Sequence, residues 1–550
     1  MTAPAPDDLA APLDALLVDA ALGPLRRFAP DASTLKLAAR LAGRPRGTAA
    51  RLGTLAAELF RVALGTSAVA PDNGDRRFTD PAWTSNPLLH RAVQAYLATG
   101  RTATDLVDHA GLDWRDRERV RFGVENLVAA LAPSNVPMLN PASAKAVVDT
   151  GGLNLLRGAL NLAADMRSAP RVPRMVDPSA FTAGGNLATT PGAVVARTEV
   201  YELIQYTPTT PTVRQVPLLV VPPTINKYYV LDLAPGRSLV EYLVASGQQV
   251  FMLSWRNPDV RHRAWGLSTY LHAILDALDA VERVTRSPTA VLAGVCSGGI
   301  LASLAAARVA ATDRPDRLAG LTLLVTVLDQ QRAGTPAALA DRYLASAAVA
   351  ASRRKGYLDG RALAEVFAWL RPGDLVWHYW VNNYLLGRQQ PAFDMLYWNS
   401  DTTRMPARLH ADFVDLALHN RLANAGLDAV STDAYVVAGV ADHITPWQSC
   451  YRTTSLLGGS ARFVLSTSGH IAAIVNPPGS PKATYRLNPD NPDDPQDWLA
   501  GARTEPGSWW PDFTGWLADR TGPDRRAPRR LGGGGLDPLI DAPGTYVLDR

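Results

Sequence analysis

Cys296 stands in Gly294-Val295-Cys296-Ser297-Gly298-Gly299, where the apolar run Val291 to Val295 ends and an alanine-rich helical pattern opens. A strand, a tight turn and a helix in that order, with small residues two before and two after the central one, force the central side chain onto an exposed, strained position. A thiol held this way can attack a carbonyl. It also sits at a helix N-terminus, where backbone N–H groups and the dipole favour a thiolate and a developing oxyanion. An isolated cysteine more often fills a core. The residues downstream decide between the two readings.

A cysteine nucleophile needs a base and a group that orients the base, and in sheets of this kind the chain order is nucleophile, acid, histidine. Asp442 follows the strand-like run Tyr435 to Val440, and His470 follows Phe463-Val464-Leu465. Both fall where strands should end, on the rim expected to carry Cys296. An aspartate before Pro446 also serves as a helix cap, and a lone histidine as a structural hydrogen-bonding group. His443 competes as base, although its place on a tight turn beside Asp442 should point it elsewhere. Cys450 has no elbow around it and reads as a packing residue. The oxyanion hole needs two backbone N–H donors. One is expected from Ser297, the other from Ile225 in the loop Val221-Pro222-Pro223-Thr224-Ile225-Asn226-Lys227, whose two prolines cannot donate.

The elements that must hold these residues are legible in the apolar pattern. Strands are expected at Ala193 to Tyr206, Val216 to Val221, Gln249 to Ser254, Thr289 to Val295, Gly320 to Val327, Ala434 to Val440 and Arg462 to Ser466, with helices at Ser268 to Thr285 and Gly299 to Ala311. Such alternation predicts an α/β class with a mostly parallel sheet. Residues 1–185 read as a mainly helical domain. The core falls in two parts, 186–329 with the cysteine turn and 431–520 with the aspartate and histidine. Between them, 330–430 is a helical insertion rich in aromatics (Trp369, Trp377, Trp380, Tyr384, Trp398), either a cap over the strand ends or a small helical core. The tail 521–550 contains Leu531-Gly532-Gly533-Gly534-Gly535, read as a flexible link because it lacks the lysine and preceding strand of a phosphate loop.

Composition excludes several classes. Hydrophobic residues make up 47% and charged residues 19%, as in ordinary globular chains. The net charge of +4 argues against a nucleic-acid partner; only Lys36, Lys145, Lys227, Lys355 and Lys482 are lysines, and the arginines are scattered. Two cysteines in 550 residues exclude a disulfide scaffold and fit a reducing compartment. The N-terminus lacks the order of a signal peptide, and no run reaches the roughly 18 apolar residues of a membrane span. A cytoplasmic protein is expected. The nine histidines show no metal-ligand spacing, so no metal is expected.

At this point the sequence resembles the polyhydroxyalkanoate synthases. The resemblance is carried by the Gly294 to Gly299 box, by Asp442-His443-Ile444-Thr445-Pro446-Trp447 and by Ser468-Gly469-His470-Ile471-Ala472. It extends to Pro222 through Leu233, Ser254-Trp255-Arg256-Asn257-Pro258, Arg371 through Leu386, Arg77 through Trp83 and Gly507-Ser508-Trp509-Trp510, covering about residues 70 to 520. The stretch Leu396 to Pro406 is most similar to the single-subunit type that accepts medium-length side chains. The resemblance implies an α/β-hydrolase fold, a Cys296–His470–Asp442 triad and polymerisation of (R)-3-hydroxyacyl-CoA with release of CoA, without a cofactor. It also implies a homodimer and attachment to polymer granules and their associated proteins, to which the N-terminal helices are expected to contribute. Asn226, His443 and Trp398 are expected to contact substrate. A cysteine-dependent acyl-CoA thioesterase is the alternative.

Overall fold

The computed structural model describes residues 32–549 except 73, 330–336, 371 and 443. Its described residues divide into two compact units, 178–361 with 393–549, and 32–177 with 362–392. The interval 330–430 is thus shared between them.

The first unit is built on an eleven-stranded sheet. Its strands are β1 (Gly192–Arg197), β2 (Tyr201–Tyr206), β3 (Leu218–Val221), β4 (Val250–Trp255), β5 (Ala290–Val295), β6 (Leu318–Leu324), β7 (Ala434–Gly439), β8 (Ala461–Ser466), β9 (Thr484–Leu487), β10 (Arg503–Pro506) and β11 (Ile540–Asp541). The order across the sheet is β10-β9-β8-β7-β6-β5-β3-β4-β2-β1-β11. Strands β3 to β8 are parallel to one another, and the flanking strands on both edges run antiparallel. Every residue of β3, β4, β5 and β7 is buried. Near-continuous apolar runs are what a parallel sheet covered on both faces requires. Helices Leu267–Thr285 and Ser297–Ala310 form the crossovers beside β5.

Two expectations change. Ala193 to Tyr206 is not one strand: Thr198 accepts hydrogen bonds from the Val200 and Tyr201 N–H groups through its hydroxyl at 3.1 and 3.2 Å and closes a hairpin. The polar triplet Arg197-Thr198-Glu199 marks the break between the two apolar runs. The glycine run is not a loose link either. Gly532 N–H donates to Gln205 Oε1 at 2.6 Å, Gly533 N–H to the Leu536 carbonyl at 2.9 Å, and the Gly534 carbonyl accepts from Arg283 at 2.9 Å. The chain beyond it supplies β11 at the sheet edge.

The second unit is helical, with helices at Ala32–Ala42, Pro45–Leu64, Pro87–His109, Trp114–Ala130, Pro141–Thr150 and Leu153–Asp165. Two open on Asn-Pro, where the asparagine side chain caps the first turn and proline needs no N–H partner. Trp369, Trp377, Trp380 and Tyr384 form a chain of edge-on rings in this unit. Trp380 donates to the Asn135 carbonyl at 3.2 Å and Tyr384 to Asp165 at 2.8 Å. These four rings therefore pack with the N-terminal helices. Among the described residues, no helix is long and apolar enough to cross a membrane, and no cluster of His, Cys, Asp and Glu could hold a metal ion.

Candidate active site

Strand β5 delivers its last residue straight into the turn. Cys296 has φ 52° and ψ −119°, a backbone state that costs a side-chain-bearing residue on the order of 1–3 kcal/mol. The surroundings enforce it: Cys296 N–H donates to the Leu324 carbonyl of β6, and Gly299 N–H donates back to the Cys296 carbonyl, both at 2.9 Å. A Cβ on Gly298 would overlap the Pro222 carbonyl oxygen, and one on Gly299 would overlap the Thr326 hydroxyl. Only glycine lets the helix start this close to the neighbouring strand ends. Cys296 is half-buried, whereas Cys450 is fully buried, with its Sγ 3.7 Å from the Thr445 carbonyl and its thiol pushed well above the ordinary value by burial.

Asp442 and His470 lie after β7 and β8, neighbours in the sheet. The Asp442 side chain closes its own turn: Oδ1 accepts from the Ile444 and Thr445 N–H groups at 2.8 and 2.9 Å. Its other oxygen lies 2.7 Å from His470 Nδ1. The local turn-closing role and the histidine contact are thus carried by different oxygens of one carboxylate. The imidazole, engaged at Nδ1 by Asp442, also feels the Cys296 sulfur electrostatically. The three side chains are brought together. Burial opposes a charged imidazole, but the Asp442 carboxylate and, after it, the nearby Cys296 sulfur outweigh it and push His470 up to about 10. Burial likewise works against ionised Asp442, yet the facing imidazole and the Thr445 hydrogen bonds hold its carboxyl below the usual range.

The helix His470–Val475 is anchored from beneath. Trp509 Nε1 donates to the Ala473 carbonyl at 2.7 Å and Trp510 Nε1 to the Ile474 carbonyl at 3.0 Å. Both rings are 1% exposed.

The loop after β3 packs onto the start of the cysteine helix. Thr224 N–H donates to Ser297 Oγ at 3.0 Å, so Ser297 joins the two expected sources of oxyanion donors through its side chain as well. Ile225 is buried and Asn226 half-buried in this loop. Trp398 is also buried, and its indole N–H donates to the Lys227 carbonyl at 2.7 Å, bracing the loop. His443 lies outside the described residues. Two residues the sequence reading passed over belong to the site. Thr445 hydrogen-bonds to Asp442 and reaches His470; its place three residues after a turn-forming aspartate is the available signal. Lys227 is a buried cation in the apolar stretch Ile225 to Leu233, an anomaly visible in the sequence.

The sheet order and the turn after β5 make this unit an α/β-hydrolase fold, and residues 217–477 match the family model described by that name. Residues 74–243 match the N-terminus of poly-beta-hydroxybutyrate polymerase. The chain is 45% identical over 529 residues to poly(3-hydroxyalkanoate) polymerase 2 of Ectopseudomonas oleovorans, covering 94% of each protein. It is 46% identical over 503 residues to polymerase 1 of that organism, covering 90% of each. Against the polymerase subunit of Cupriavidus necator it is 38% identical over 490 residues, covering 86% of this chain and 83% of that one. The chain belongs to the poly(3-hydroxyalkanoate) polymerase family and is an enzyme of that class.

Proposed function

We propose that the enzyme polymerises (R)-3-hydroxyacyl-CoA through an acyl chain carried on Cys296. What supports this reading above all is a thiol on a strained strand-to-helix turn, close to an imidazole that Asp442 orients.

His470 takes the Cys296 proton and the sulfur attacks the thioester carbonyl. The tetrahedral oxyanion is received by the N–H groups of Ser297 and Ile225, Thr224 N–H being committed to Ser297 Oγ. CoA leaves as the thiol with the proton from His470. The 3-hydroxyl of the next monomer, deprotonated by His470 or more directly by Asp442, attacks the acyl-cysteine and forms the ester; the bond to sulfur breaks, the proton returns to Cys296, and the chain, now ending in the new monomer's CoA thioester, is loaded again as before. Loading exchanges one thioester for another, and transfer to an alcohol runs downhill, so growth needs no further energy source and no cofactor. Asn226, His443 and Trp398 border the substrate. Medium-length side chains, a homodimer and a cytoplasmic station on polymer granules, held in part by the N-terminal helices, complete the proposal by family likeness.

Mixing the protein with (R)-3-hydroxyacyl-CoA of several chain lengths should release CoA and yield polymer. Cys296→Ser should fold normally and lose most of the rate, because a hydroxyl ionises far less readily than a thiol. Free hydroxy acid as sole product would identify a thioesterase, and undiminished polymerisation by Cys296→Ser would remove the cysteine mechanism.

A further inference from the structure

We propose that Lys227 and the segment 545–549 bound to it position the Ile225 N–H for the oxyanion, an inference that rests on the reading of Ile225 as a donor. Lys227 is two residues from Ile225, and its side chain is 4% exposed. An ammonium has three N–H donors, and a buried one is tolerated only when they are paired. Lys227 Nζ meets Asp401 at 3.0 Å, the Val547 carbonyl at 2.6 Å and the Asp549 carbonyl at 2.9 Å. Two of its three partners therefore come from a segment more than 300 residues away in the chain.

That segment is itself fixed to β2 and the β1–β2 hairpin. Glu202, buried in β2, accepts from Thr545 N–H at 2.9 Å, the Thr545 hydroxyl at 2.8 Å and Tyr546 N–H at 3.0 Å. The Tyr546 hydroxyl donates to the Thr198 carbonyl at 2.6 Å, and the Arg256 guanidinium lies 4.3 Å over its ring. The strap thus runs from the β1–β2 hairpin to the loop.

Thr403 grips two successive peptides of the loop. Its hydroxyl donates to the Thr224 carbonyl at 3.1 Å and its N–H to the Ile225 carbonyl at 3.2 Å. The Thr224 carbonyl and the Ile225 N–H belong to one planar unit, so holding the oxygen fixes where the N–H points. Lys227 and the strap fix the loop's other end.

The test compares Lys227→Met, which breaks the knot, with Glu202→Gln and Tyr546→Ala, which loosen the strap without touching the loop. Turnover of 3-hydroxyacyl-CoA is measured beside the rate of Cys296 alkylation by iodoacetamide, which needs no oxyanion donor; fully buried Cys450 does not compete. Circular dichroism identifies folded variants. The expected result is kcat at least tenfold lower in Lys227→Met and severalfold lower in the strap variants, with KM and alkylation within twofold of the parent. If kcat stays within twofold in the folded variants, or if kcat and alkylation fall together, the proposal is overturned. Failure of the cysteine reading itself is seen separately, as turnover retained by Cys296→Ser.

Discussion

The Thr445 hydroxyl lies 2.5 Å from Asp442 Oδ2, the same oxygen that His470 Nδ1 approaches at 2.7 Å. It is also 3.1 Å from that nitrogen. Asp442 Oδ2 therefore accepts from two donors that hold each other's direction. Thr445→Val keeps the shape and the backbone N–H bond to Oδ1 and removes only the hydroxyl. A hydrogen bond to the charged form lowers a carboxyl pKa, so its loss raises that of Asp442. The variant should show kcat about tenfold lower, a part of the roughly 10²–10⁴-fold that positioned proton transfer contributes, with KM little changed and the acidic limb of its pH–rate profile moved to higher pH. A profile superimposable on the parent's would deny Thr445 this positioning role.

His470 also makes stability depend on pH. Its folded value of about 10 lies above the unfolded value of 6.5, so the folded state binds the extra proton. The contribution is complete below 6.5, declines as pH rises, and is gone above about 10. Within that window it steepens the loss of stability by up to about 1.4 kcal/mol per pH unit. Denaturant titrations of the parent and His470→Gln from pH 6 to 10 should give curves that converge with rising pH. Parallel curves would contradict the raised basicity.

What could be read in the chain before its fold was known followed from local pattern. Strands β3 to β8 are apolar runs bounded by turns, and the box around Cys296 declares its own geometry because a strand and helix meeting there exclude Cβ atoms. Polar or short edge strands such as Thr484–Leu487 and Ile540–Asp541 carry no comparable pattern. The aromatic residues of 369–384 were readable as aromatic but not as partners of helices more than 200 residues earlier. Lys227 shows the same limit from the other direction: its oddity is local, but the carbonyls that satisfy it come from the far end of the sequence. Long-range partners are settled by packing, which no spacing records.

The helix that carries His470 rests on two buried indoles. Trp510 is almost fully buried and its indole N–H donates to the Ile474 carbonyl. Trp510→Phe keeps an aromatic ring but leaves the Ile474 carbonyl without its indole donor, a buried loss worth about 1–3 kcal/mol together with the smaller ring's cavity. Because Trp509 still holds the neighbouring Ala473 carbonyl, the helix should loosen rather than unfold. The expected outcome is a lower denaturation midpoint and a fall in kcat larger than in a control substitution of similar cost remote from the helix, such as Trp83→Phe in the helical unit. Equal losses of stability with unequal kcat would mark the two indoles as supports that keep His470 within reach of Cys296. If kcat fell no further than in the control, they would be core residues and nothing more.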